Sequence, residues 1–150
     1  MANNTIIKVG TPIEKYLVAN ASITPGHLIE RMSTNKVRVH ASAGSHAQKM
    51  FAIEDDNQGN GITDVYAAAS QVRCGIFRAG EEVYALLANG QNVAIGAPLE
   101  SNGDGTLRAY THDSNGLDTT NNIVGYALDA VDMSDSSAAD PSGRITVEVA

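Results

Sequence analysis

The sequence predicts a mainly β fold, and three features predict it. Apolar and polar residues alternate with period two in Lys36-Val37-Arg38-Val39-His40-Ala41 and again in Arg144-Ile145-Thr146-Val147-Glu148-Val149, the spacing that sends successive side chains to opposite faces of a strand. Asn-Gly pairs stand at 60–61, 89–90, 102–103 and 115–116, and Asn-Gly readily supplies the positive φ of hairpin turns. Helix signals are confined to Asp64-Val65-Tyr66-Ala67-Ala68-Ala69, where an aspartate cap precedes alanines, so at most one or two short helices are expected.

From the N-terminus, Thr5-Ile6-Ile7-Lys8-Val9 is strand-like and is followed by Gly10, Pro12 and a mixed stretch. No turn signal folds residues 1–20 back at hairpin distance, so they are expected to form an extended N-terminal arm. About 15 extended residues reach roughly 50 Å at strand rise. Residues 5–9 can equally be read as the first strand of the sheet. The body, residues 21–150, opens with a turn at Thr24-Pro25-Gly26. Strands are then expected at Leu28–Met32, Lys36–Ala41, Lys49–Ile53, Gln71–Phe77, Glu82–Leu87, Thr106–Tyr110, Ile123–Val131 and Arg144–Val149. Asp129–Gly143, rich in Asp, Ser and Ala and closed by Asp140-Pro141-Ser142-Gly143, reads as a surface loop. No solenoid repeat and no Pro- or Ser/Gly-rich linker divides the body, so one β domain is expected.

Composition narrows the function classes. A chain of 150 residues with 43% hydrophobic content can bury roughly 68–70% of its extended surface. The longest apolar run, Val83–Ala88, is far shorter than the ~18 residues of a membrane-spanning helix. Met1–Thr5 lack the features of a secretory leader, so none is expected, and the single cysteine makes no internal disulfide. The net charge of −7 and pI near 4.9 argue against a general nucleic-acid binder. The charge is also polarised. Six basic groups face two acids in residues 1–50, whereas four face fifteen in residues 51–150, and six aspartates fall within 113–140. Such a chain can present unlike faces to a partner and to solvent.

Catalytic and metal patterns fail one by one. A calcium loop starting at Asp56 would need glutamate at its twelfth position, which is Ala67. Asn102-Gly103-Asp104-Gly105 offers one ionic ligand and reads as a hairpin tip. His27, His40, His46 and His112 have no zinc spacing and are expected at the surface. Gly44-Ser45-His46 lacks the strand-to-helix setting of a nucleophile elbow. Cys74 shares a face with Val72 and Ile76 and is expected to be a buried, inert thiol. No glycine loop cradles phosphate, and 5% aromatic content is too little for an RNA-stacking sheet. No enzyme activity, metal or cofactor is therefore expected. What remains is binding, with Ile6, Ile7 and Val9 as anchors of an arm that adds itself to a partner's sheet.

Ile23-Thr24-Pro25-Gly26-His27-Leu28-Ile29-Glu30 followed by Lys36–Ala41 resembles the opening of tailed-bacteriophage head decoration (capsid cement) proteins. Gln48–Glu54, Gly59–Tyr66, Val83–Leu87 with Asn89-Gly90, and Ile95–Leu107 continue the likeness in order. The resemblance implies a small β-tulip or barrel-like body, commonly a homotrimer at three-fold and quasi-three-fold positions of the head. It implies a virion structural protein, made in the host cytoplasm and carried on the outer surface of the capsid, that cements neighbouring major capsid subunits. It also implies an arm in which Thr5, Ile6, Ile7, Lys8 and Val9 add as a strand while Lys8 and Lys15 face capsid carboxylates, with Asp113–Asp140 turned outward. Nucleic acid and membrane are not expected partners. Two other classes stand beside this one: a tail-tube or fibre-associated virion β protein, and a carbohydrate- or receptor-binding β domain. The absence of tryptophan weakens the last, since sugar faces stack on aromatic rings.

Overall fold

The computed structural model describes residues 5–111, 122–135 and 143–150. Thirteen strands follow one another among the described residues: β1 Ile7–Val9, β2 Ile13–Val18, β3 Ile29–Arg31, β4 Val37–Val39, β5 Met50–Ile53, β6 Gln71–Ile76 and β7 Glu82–Leu87 in the first part. The rest are β8 Asn92–Val93, β9 Pro98–Ser101, β10 Leu107–Ala109, β11 Gly125–Ala127, β12 Val131–Asp132 and β13 Gly143–Val149. The mainly β expectation holds, and every predicted body strand overlaps an observed one.

Five strands close into a barrel in the order β7-β10-β9-β11-β13 and back to β7. The longest pairing is β7 with β13, antiparallel from Glu82↔Glu148 to Leu87↔Gly143. Alternation explains it: Val83, Ala85 and Leu87 face Ile145, Val147 and Val149 across one interior, leaving Arg144, Thr146 and Glu148 on the outside. Leu99, Leu107, Val124 and Ala127 complete that core. The other edge of β7 is filled by three segments in turn. The N–H of Tyr84 donates to Ile6 O, that of Leu86 to Gly26 O, and that of Ala88 to Leu107 O, at 2.7, 3.1 and 2.8 Å.

Beside the barrel lies a three-stranded antiparallel sheet, β2-β6-β5, and the hairpin β3–β4. These enclose a second core of Ala19, Ile23, Ile29, Val37, Val72 and Cys74. Strand β5 belongs to both. Phe51 and Ile53 point into the barrel and Met50 and Ala52 into the second core, which is why all four of its residues are apolar and buried.

Three expectations are corrected. The helix expected at 64–69 does not form. Tyr66 instead exchanges both backbone hydrogen bonds with Ile23, at 2.8 and 3.0 Å, and its hydroxyl donates to Ile53 O, so its polar groups are satisfied across the fold and not along a helix. The helical turn present among the described residues is a 3₁₀ turn at Asp56–Gln58, closed by Gly59 at φ 77°. Ile123–Val131 is not one strand but β11 and β12, the second pairing with β8. Finally, residues 5–18 do not stand off as an arm. Both halves of that segment are paired into the body, β1 with β7 and β2 with β6, because Ile6 is wholly buried in the barrel core and Leu17 packs on the second core.

Candidate interaction surface

Strands β1 and β2 run one after the other antiparallel to β6 and β7, with Ile7 opposite Val83, Val9 opposite Glu82, and then Ile13 opposite Ile76 through Val18 opposite Gln71. The N-terminal segment is thus an edge ribbon laid along both sheets. Three of the six large apolar residues exposed among those described lie on it: Val9, Ile13 and Tyr16, at 52%, 49% and 48%.

The predicted anchors separate along this ribbon. Thr5 uses its hydroxyl to cap Ile7 O at 2.7 Å. Ile6 is sealed in the core and donates its N–H to the Glu54 carboxylate at 3.0 Å, so its side chain cannot anchor a partner while the barrel is folded. Ile7 is half-buried against the same core. Lys8 holds its ammonium 4.5 Å from the centroid of the Tyr84 ring, which the Arg144 guanidinium also approaches, at 5.7 Å. Val9 is exposed, and Lys15 is exposed on β2 opposite Cys74. Sequence reasoning missed Ile13, Glu14 and Tyr16. The run Ile13-Glu14-Lys15-Tyr16-Leu17 does not alternate by two, since Glu14 and Lys15 are both polar and Tyr16 and Leu17 both apolar, and the Gly10–Pro12 break in front of it obscured the strand further.

The two edges differ in their protection. In β1 the register slips between Ile7 and Val9, a bulge of the kind that blunts an edge, and Thr5 closes the Ile7 carbonyl. In β2 the register is unbroken over six residues. The N–H of Ala19 donates to Ser70 O at 2.8 Å, and the two-residue alternation of an antiparallel ladder then turns Leu17, Lys15 and Ile13 toward β6. The N–H and C=O of Glu14 and Tyr16 face the other way, where no further strand pairs with β2 among the described residues. That free edge ends at Ala19, which bridges Val37, with the N–H of Asn20 donating to Val37 O at 2.8 Å.

Charges along β2 are unequal. The Glu14 carboxylate is held by Arg73, whose guanidinium also reaches Asp56 and Glu54 O, each at 3.1 Å. Lys15 has no ion pair among the described residues. Arg31 and Lys36 of the neighbouring hairpin are exposed as well, so this lobe carries unneutralised positive charge.

A serine–histidine–carboxylate grouping does occur elsewhere. His40 Nε2 lies 3.0 Å from the His46 carbonyl, which can only accept, so Nε2 carries the proton and Nδ1 accepts from Ser101 Oγ at 2.7 Å. Glu30 stands 3.7 Å from Nε2. Ser101 is wholly buried and His40 nearly so, and the network ties the 40–46 loop to β9. His40 is therefore not the surface histidine expected from the polar face of its strand. His27 is half-buried, accepts the Thr24 N–H at Nδ1, and has its pKa lowered to about 4, chiefly by burial. His46 is exposed as expected, and His112 lies outside the described residues, as does half of Asp113–Asp140. Cys74 is fully buried, and burial raises its pKa to about 11, as its apolar strand face implied. Among the described residues no three His, Cys, Asp or Glu side chains converge to hold a metal ion. Asp56 of the rejected calcium loop is engaged by Arg73.

No protein-family model matches the chain, and no curated protein matches it either. Among solved structures, the N base of the head fiber gp8.5 of bacteriophage phi29 matches with a TM-score of 0.58 at 10% identity, over 93% of this chain and 95% of that one. The likeness is one of fold, and it extends through both lobes.

Proposed function

We propose that the chain is a structural protein of a bacteriophage virion, seated on the outer surface of the head, where it binds major capsid protein subunits and cements neighbours together. The observation that carries this reading is the end-to-end fold likeness to a phage head-fiber base, reached independently of the ordered sequence phrases that resemble head decoration proteins. A cement acts by mass action: it binds the assembled shell and not its dispersed subunits, and so stabilises the shell. Three copies around a three-fold position would multiply a modest contact through effective concentration. The chain works by contact alone, without metal, cofactor or catalysis.

A second reading, the base of a projecting fiber, is favoured by the same neighbour, which is itself such a base. The test mixes purified protein with expanded heads lacking it and measures co-sedimentation and the temperature at which the heads disrupt. Saturable binding with a raised disruption temperature supports cementing. Binding with an unchanged disruption temperature supports the fiber base. Absence of binding overturns both.

A further inference from the structure

We propose that the free edge of β2, Ile13–Leu17, is where an extended segment of a different protein adds as a strand, with an acidic residue placed against Lys15; this rests on the head-binding reading above and names its contact surface. Three observations converge. The edge is unguarded: the outward N–H and C=O groups of Glu14 and Tyr16 meet no strand among the described residues, while the adjoining edge of β1 is blunted by a bulge and by the Thr5 hydroxyl. It is flanked by apolar surface, Ile13 and Tyr16 each being about half exposed, which gives an added strand side chains to pack on. Its free charge has one sign, because Glu14 is held by Arg73 and Lys15 is not paired.

The same geometry argues against a second copy of this strand as the occupant. Two β2 edges related by a two-fold axis pair antiparallel about a residue on that axis. Centring on Glu14 opposes two carboxylates and centring on Lys15 opposes two ammonium groups. Centring on Tyr16 leaves Lys15 opposite Leu17. None of the three provides the carboxylate that Lys15 lacks. A foreign segment with an acid in that register does, and it leaves the Glu14–Arg73 pair intact.

The proline and charge variants separate edge pairing from general stickiness. In Tyr16→Pro the lost N–H points away from β6, so the internal ladder keeps its bonds while the external one loses a donor. Lys15→Glu leaves the backbone untouched and reverses the free charge, and Ile95→Ser alters an exposed apolar residue away from this edge. Each full-length protein, with folding checked by its thermal transition, is titrated onto expanded heads lacking it. The expected result is saturable binding by the parent and by Ile95→Ser, with Lys15→Glu and Tyr16→Pro each weakened at least tenfold. Lys15→Glu is the decisive variant if Tyr16→Pro does not fold. Binding by Lys15→Glu within twofold of the parent overturns the edge as the contact while leaving head binding standing. Failure of the parent itself to bind overturns the head-binding reading and this inference with it.

Discussion

Ile6 and Val9 sit three residues apart and have opposite roles. Ile6 is wholly enclosed by the barrel core while Val9 is half exposed, so truncation at each should have very different costs. Ile6→Ala is expected to lower unfolding free energy by about 2–5 kcal/mol, the range for a buried aliphatic deletion. Val9→Ala should stay within about 0.5 kcal/mol. Urea titration of both variants measures the contrast, and equal costs would place the segment outside the core. His27 gives the molecule a pH response. Burial lowers its pKa from 6.5 to about 4, so as pH falls the unfolded chain takes up a proton before the folded one does. Stability from this residue is complete above pH 6.5 and is lost progressively down to about pH 4, a total on the order of 3 kcal/mol at about 1.4 kcal/mol per pKa unit. His27→Asn, which keeps an acceptor for the Thr24 N–H, should flatten the difference between urea midpoints at pH 7 and pH 4.5. The sequence made the burial of Cys74 legible, because its neighbours on one strand face are Val72 and Ile76. It did not make His40 legible, since what draws that ring inward is Ser101, sixty-one residues away.

Strands with a clean period-two pattern were readable, and those that broke it were not. β13 and β4 alternate and stand where alternation places them. β9 escaped notice because Leu99, Glu100 and Ser101 are all buried. The carboxylate of Glu100 is tolerated there because Arg108, its direct cross-strand partner, donates to it at 2.8 Å and the Thr111 hydroxyl donates to it at 3.1 Å. β2 escaped because most of it is exposed and its pairing partner lies more than fifty residues on. Barrel closure depends on one contact that no side-chain pattern encodes. A Cβ at Gly125 of β11 would stand 2.4 Å from Val147 Cγ1 and 2.6 Å from Glu148 O on β13. The obstructing oxygen belongs to the backbone and cannot swing aside, so Gly125→Ala is expected to push the two strands apart. The cost should be about 1–3 kcal/mol, seen as a lower thermal midpoint and faster exchange of the Val147 and Val149 amides. An unchanged midpoint would mean that β11 and β13 can separate without loss.

The two cores share a wall. β5 sends Phe51 and Ile53 one way and Met50 and Ala52 the other, and β1–β2 lies across both lobes, so neither core can open without stripping a face from its neighbour. A single cooperative transition is therefore expected, with calorimetric and van't Hoff enthalpies in agreement; two resolved transitions would separate the lobes. At this scale the sequence conveyed the β class and the single domain, but not that the first strands belong to the body. The partners of Ile7 and Ile13 are found at Val83 and Ile76, and pairing over such separations leaves no local mark. The position of β13 has one further consequence, for synthesis. It comes after all the other described strands in chain order, yet it lies between β7 and β11 and closes the ring. Until Gly143–Val149 has emerged from the ribosome, β7 and β11 lack the neighbour that joins them, and their apolar faces stay open. Non-local closure of this kind is slow and exposes sticky surface in the interval, so the nascent chain depends on whatever shields those faces until β13 is in place.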